Sequence, residues 1–322
     1  MRSNRWCWQS EFLNMSVQRQ ITRDGLGVWL MAIRPKTLIL SLAPVLLAGI
    51  LAFKSMAAVN WEVFPFILLS AGLIQIATNL WNDAADAGSG LDIASERLGP
   101  PRVTSLGLLQ AGTVKSAAYL CLAVAALCGL YLAFIGGWPI LLIGVVGILF
   151  AFGYSTGPYP ISGSPLGEVF VILFFGIMSV MGSNYLLTDS WSMTSLWAGF
   201  YVGLPAAAVL TVNNHRDREG DTKGGRRTLA IQLGPRRTKQ LYTIFLLVSC
   251  IGIVHVSNVI SFGTLSLVSV LASAVLMAFA LSVPIRNLFL ANTAADLNKC
   301  LMGTSMFQLV WIAAFIFVQL LT

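Results

Sequence analysis

The chain has 322 residues, of which 57% are hydrophobic and only 10% charged, and it carries a formal net charge of +7. So few polar side chains cannot cover a water-soluble globule of this size, which puts the chain in a bilayer. The basic balance does not call for nucleic acid, because the positive charges are sorted by loop.

In chain order, residues 1–28 read as an N-terminal cytoplasmic tail. Trp6, Trp8, Phe12 and Leu13 stand among basic residues there and suit a membrane interface. No uninterrupted apolar run marks a cleaved signal peptide. A span needs roughly 20 mostly apolar residues, and nine such stretches follow, near 36–54, 63–82, 114–134, 138–154, 166–187, 194–213, 240–259, 264–283 and 302–321. They are too long and too uniformly apolar for barrel strands, and helices satisfy their own backbone in lipid. The expectation is an all-α, polytopic fold in which residues 29–322 form one nine-helix transmembrane domain with no separate soluble domain. With the N-terminus taken as cytoplasmic, 19 of the 20 Lys and Arg fall on the inner side and only Lys54 on the outer, which is the positive-inside bias. Cys7, Cys121, Cys128, Cys250 and Cys300 show no metal-ligand spacing and read as packing residues.

Two polar clusters break the apolar pattern. The second span ends in Asn79-Leu80-Trp81-Asn82-Asp83-Ala84-Ala85-Asp86 and continues to Asp92; the sixth ends in Asn213-Asn214-His215-Arg216-Asp217-Arg218-Glu219-Gly220-Asp221. Asn79, Asn82 and Asp86 are spaced by three and four, and Asn214, Asp217 and Asp221 repeat that spacing, so each set shares a helix face. Carboxylates near lipid need a partner, and a divalent cation suits them. Mg²⁺ takes hard oxygen ligands, commonly one or two carboxylates plus substrate phosphates, and the negative end of the helix dipole favours it. The predicted ligands are Asn82, Asp83, Asp86, Asn214, Asp217 and Asp221. Beside the clusters stand Arg97, Arg102, Lys223 and Arg226, whose charge and, for the arginines, forked donors suit a diphosphate. Arg236, Arg237 and Lys239 read instead as inner-leaflet and topology residues. His215 and His255 do not read as ligands.

At these motifs the chain resembles the UbiA superfamily of membrane prenyltransferases. The resemblance rests on Arg34-Pro35-Lys36-Thr37, on Asn82-Asp83 through Asp92 with Arg97-Leu98-Gly99-Pro100, on Tyr154 through Pro160, on Leu166-Gly167-Glu168, and on Asn213-Asn214 through Thr228-Leu229-Ala230. Gly90 with the carboxylate displaced to Asp92 is similar to the superfamily's naphthoate branch, whereas Gly225-Arg226 departs from that branch's usual Gly-Lys. The resemblance implies Mg²⁺-dependent transfer of a polyprenyl group from its diphosphate to an aromatic acid, with 1,4-dihydroxy-2-naphthoate as acceptor and loss of CO₂. Asp83, Asp86, Asp92, Asp217 and Asp221 would then be catalytic. Glu168 is expected to take a phenolic proton, in a pocket lined by Tyr154, Tyr159 and Asn79.

The expected partners are the two substrates and the lipid bilayer, with no nucleic acid and no obligatory protein partner. A bacterial inner membrane, with the motif loops cytoplasmic, is the expected location. Two alternatives remain open at this point. Prenylation of 4-hydroxybenzoate or homogentisate keeps the chemistry and changes the ring; a transporter or divalent-cation channel would use paired carboxylates for permeation. Transport sites usually lie near the bilayer midplane, whereas these motifs fall at helix ends.

Overall fold

The computed structural model describes residues 25–55, 57–88, 98–99, 102–154, 160–263 and 265–321, with the backbone alone at 86–88 and 151–152. The described residues form helices α1 (Gly25–Ile33), α2 (Pro35–Lys54), α3 (Phe64–Gly88), α4 (Ala111–Gly153), α5 (Gly167–Thr188), α6 (Met193–Lys223), α7 (Leu229–Ile260), α8 (Leu267–Leu290) and α9 (Ala294–Leu320). Eight of them, α2 to α9, are long and apolar enough to cross a membrane. The 43-residue α4 joins two predicted spans. Gly137 breaks it with φ 72°, ψ −163°, two residues before Pro139, and such a φ suits glycine alone among common residues. Counting its two arms separately gives the nine crossings read from hydropathy.

Helix α1, Gly25–Ile33, includes residue 28. Val28 and Ala32 are buried with Leu80, Ala84 and Val114. Pro35 opens α2, where its missing N–H costs no helical bond. Between α1 and α2 the backbone of Arg34 is left-handed, φ 55° and ψ 68°, a conformation costly for a residue with a Cβ.

Of the spanning helices, α6 has the largest share buried, 72% of its apolar window. It packs against α7, α9, α2 and the middle of α5. That middle, Ile172–Met178, is wound as a π-helix, and Gly176 sits on Gly199 and Gly203 of α6 so closely that a Cβ at Gly203 would lie 3.0 Å from the Gly176 Cα. Small residues permit this backbone approach where lipid removes the hydrophobic drive between helices. Cross-helix hydrogen bonds complete the core. Trp311 Nε1 donates to the Ser249 carbonyl at 2.7 Å, Gln319 Nε2 to Ser257 Oγ at 2.8 Å, and the Tyr242 hydroxyl lies 2.7 Å from Thr304 Oγ1. Lys54 donates to the Gln319 carbonyl at the end of the bundle opposite the polar clusters.

Candidate active site

The polar clusters of α3 and α6 lie at one end of the bundle, above a cavity of about 450 Å³. Its mouth is lined by Arg34, Thr37, Asn79, Asn82, Tyr154 and Asn213, and its far end by Val45, Ile67, Leu132, Ile140 and Leu186. The rise from Ile67 to Asn82 along α3 is about 22 Å at 1.5 Å per residue, most of the ~30 Å hydrocarbon thickness of a bilayer. Phe150, Phe170 and Phe174 form an edge-to-face and stacked cluster in one wall. Gly144 and Gly147 of α4 also border the cavity and have nothing within 4 Å of a would-be Cβ. Gly176, Gly199 and Gly203, by contrast, lie against another backbone between α5 and α6.

On α6 the second motif stays helical to Lys223. Asp217 is 37% exposed at its side chain and Asp221 11%, and the two carboxylates, one helical turn apart, are near enough for their charges to interact. Each has a guanidinium. Arg216 grips Asp217 through Nε at 2.8 Å and Nη2 at 2.6 Å, and Arg226 Nη1 reaches Asp221 Oδ1 at 3.0 Å. The loop carrying Arg226 folds back because the Arg226 N–H bonds the Asp221 carbonyl and the Arg227 N–H bonds the Gly163 carbonyl. Lys223 is exposed at the helix end.

Glu168, in the first turn of α5, is 1% exposed. Its Oε1 accepts from Asn214 Nδ2 at 3.0 Å, and its Oε2 has no hydrogen-bond partner. Asn214 therefore turns its amide toward Glu168, while its neighbour Asn213 faces the cavity. Tyr154 stands close by at the end of α4. Burial first, and then the Glu168 charge, push its phenol above the ordinary tyrosine range, against the opposing effect of Arg226. The Tyr154 phenol is thus neutral and a hydrogen-bond donor at physiological pH.

The first motif departs further from expectation. Asp83 is 1% exposed; its carboxylate accepts from Val103 N at 3.1 Å, from Thr104 N at 3.1 Å and from Thr104 Oγ1 at 2.5 Å. It is a clamp that brings the chain back after the motif. Asn79, expected to contact an acceptor, spends its amide on the Ile33 carbonyl at 2.7 Å and Thr37 Oγ1 at 2.8 Å, and takes a bond from Gln75. It braces the left-handed Arg34 turn. Asn82, one of the predicted ligands, lines the mouth of the cavity. Arg102 is buried at 7% exposure, directly before the clamped Val103. Asp92, Arg97 and Tyr159 lie outside the described residues, as does the side chain of Asp86. Asp83→Ala should act on folding: it strips two backbone donors of their partner, a loss of about 1–3 kcal/mol per unsatisfied buried group. A lower melting temperature with cation dependence retained is the expected outcome.

Among the described residues no group of three or more His, Cys, Asp and Glu forms a metal cluster. The donor set nonetheless fits Mg²⁺ of the kind that shares its coordination with phosphate oxygens: two carboxylates on one helix face, oxygen-bearing Asn82 and Asn213 at the mouth, and arginines around them. Arg34, Thr37, Asn213 and Arg216 were not singled out as site residues by spacing. The proline after Arg34 was the available signal for the first two, and the duplicated Asn for the third.

Comparison with known proteins agrees with this geometry. The UbiA prenyltransferase family model matches residues 41–318. The chain is 35% identical over 221 residues to the 1,4-dihydroxy-2-naphthoate octaprenyltransferase of Bacillus subtilis (strain 168), covering 69% of this chain and 70% of that one. It is 32% identical over 246 residues to the enzyme of the same name in Escherichia coli (strain K12), covering 73% and 77%. A solved structure of a UbiA homolog from Archaeoglobus fulgidus bound to DMAPP and Mg²⁺ superposes with TM-score 0.60 at 14% identity, over 92% of this chain and 100% of that one. The transport reading is set aside by these matches: the chain is an integral-membrane, prenyl-transferring enzyme and belongs to the UbiA prenyltransferase family.

Proposed function

We propose that the protein transfers a polyprenyl group from its diphosphate to 1,4-dihydroxy-2-naphthoate, in a Mg²⁺-dependent reaction accompanied by loss of CO₂. The observation that carries this reading is the polarity of the cavity: a charged, oxygen-rich mouth over an apolar shaft that runs through most of the thickness of a bilayer core. That is the shape of a molecule with a diphosphate head and a hydrocarbon tail. Relatives named as naphthoate octaprenyltransferases support the acceptor, and a neighbour bound to DMAPP and Mg²⁺ supports the cation.

Asp217 and Asp221, with Asp86 from the first motif, would hold Mg²⁺, which when bound offsets the diphosphate charge and improves it as a leaving group. Arg226, Arg102 and Arg97 serve the same charge as it develops. The C–O bond breaks with its electron pair leaving on the diphosphate, and the ring carbon that bears the carboxylate attacks the allylic carbon; its bond to the carboxylate then breaks, releasing CO₂ and returning the electron pair to the ring. The aromatic wall of Phe150, Phe170 and Phe174 excludes water from that carbon. Glu168 takes a phenolic proton from the acceptor, and the neutral Tyr154 donates a hydrogen bond beside it. We place the motif end in the bacterial cytoplasm, on the distribution of Lys and Arg.

The test is product formation by the purified protein in detergent, given 1,4-dihydroxy-2-naphthoate and a labelled polyprenyl diphosphate with Mg²⁺ or with EDTA. Prenylated naphthoquinol and CO₂ in the Mg²⁺ arm alone is the expected result. Product from 4-hydroxybenzoate or homogentisate in its place would move the acceptor assignment and leave the site reading intact.

A further inference from the structure

A single amide from α9 ties the second motif to the chain at Leu98. Asn298 Oδ1 accepts from Arg216 Nη1 at 2.6 Å, and Asn298 Nδ2 donates to the Leu98 carbonyl at 3.1 Å. The orientation of this amide follows from its neighbours, since a guanidinium only donates and a carbonyl only accepts. Arg216 is 5% exposed at its side chain, and its remaining donors Nε and Nη2 are the ones that fork onto both oxygens of Asp217. Adjacent side chains on a helix diverge and do not face each other. The Arg216–Asp217 fork therefore needs an outside anchor to hold the guanidinium back along its own helix, and Asn298 is that anchor. Through Leu98, the same amide also fixes where the chain re-enters the site after the first motif, four residues before the buried Arg102.

We infer that Asn298 is a positioning residue for the cation site: by holding Arg216 it sets the direction of the Asp217 carboxylate. The inference rests on the cation reading proposed above. Groups that orient metal ligands from behind commonly contribute about 10- to 100-fold to metal affinity, so the loss should be measurable without turnover.

The experiment uses the full-length protein in detergent with Mn²⁺ standing in for Mg²⁺ and inorganic pyrophosphate for the substrate head. Bound Mn²⁺ is read from the fall in the free-ion electron paramagnetic resonance signal, and each variant's melting temperature is measured alongside. Asn298→Leu, which removes both contacts, is expected to weaken Mn²⁺ binding about tenfold with little change in melting. Asn298→Asp keeps an oxygen for Arg216 and is expected to bind nearly as the unsubstituted protein does. Unchanged binding in Asn298→Leu overturns the inference. Equal weakening in both variants with lowered melting also overturns it, because that is the signature of a merely structural contact. Should Asn298→Leu fail to fold, Asn298→Asp decides: binding near the unsubstituted level supports the anchor on Arg216, and a tenfold loss overturns it. No pyrophosphate-dependent Mn²⁺ binding by the unsubstituted protein overturns the cation reading itself, and the inference with it.

Discussion

Asp221→Ala is expected to reduce turnover by at least about a hundredfold, the scale seen when one preorganised charge-stabilising group is lost, while the protein still inserts and melts normally. Both halves of that expectation come from the geometry. The Asp221 carboxylate is 11% exposed, one turn beyond Asp217 on α6, and in this structure its partner is Arg226 at 3.0 Å. Arg226 is itself 37% exposed, so removing its partner leaves a guanidinium that water can reach, and no buried charge is left unpaired. The two terminal losses are therefore separable: catalysis falls and the fold stays. Product formation from the naphthoate and a labelled diphosphate, beside a melting curve, checks it. Near-normal turnover with intact folding would remove Asp221 from the site and leave the cation without its best described ligand.

Glu168→Gln is expected to lower kcat by about a hundredfold or more, within the range for loss of a general base, and to leave KM for the diphosphate nearly unchanged. The substitution is chosen for what it preserves. Gln keeps an oxygen for Asn214 Nδ2, the contact seen at 3.0 Å, and it keeps the volume of a side chain that is 1% exposed. Only the charge and the proton-accepting Oε2, which has no partner in the structure, are altered. Steady-state kinetics with each substrate varied in turn separates the two parameters. If kcat is retained, Glu168 is a buried first-turn acid that helps seat Asn214, and the proton must leave by another route.

Much of this architecture was legible in the sequence because lipid imposes long apolar runs. Even the division of α4 was visible, since Gly136-Gly137-Trp138-Pro139 interrupts what would otherwise be one 43-residue helix. The second motif was legible for a different reason: α6 remains a regular helix through Asp221, so spacing by three and four translates directly into a shared edge. The first motif misled at Asp83. A carboxylate one residue after Asn82 looks like part of the ligand run, and nothing local says that its partners are the amides of Val103 and Thr104, some twenty residues on. The same limit hid Asn298, whose two partners stand 82 and 200 positions away. Glycines were ambiguous in principle. Gly176, Gly199 and Gly203 lie against another backbone, Gly144 and Gly147 against open space, and a bare α-carbon carries no mark of which it faces.

That second pair has a consequence for how such an enzyme changes its substrate range. At Gly144 and Gly147 of α4 the chamber wall is backbone, and a Cβ added at either would meet no other atom within 4 Å. Most interior positions of a close-packed protein resist enlargement because neighbours must shift. These two do not, and a lineage could trade one hydrocarbon length for another in single steps here, leaving the charged mouth and its chemistry untouched.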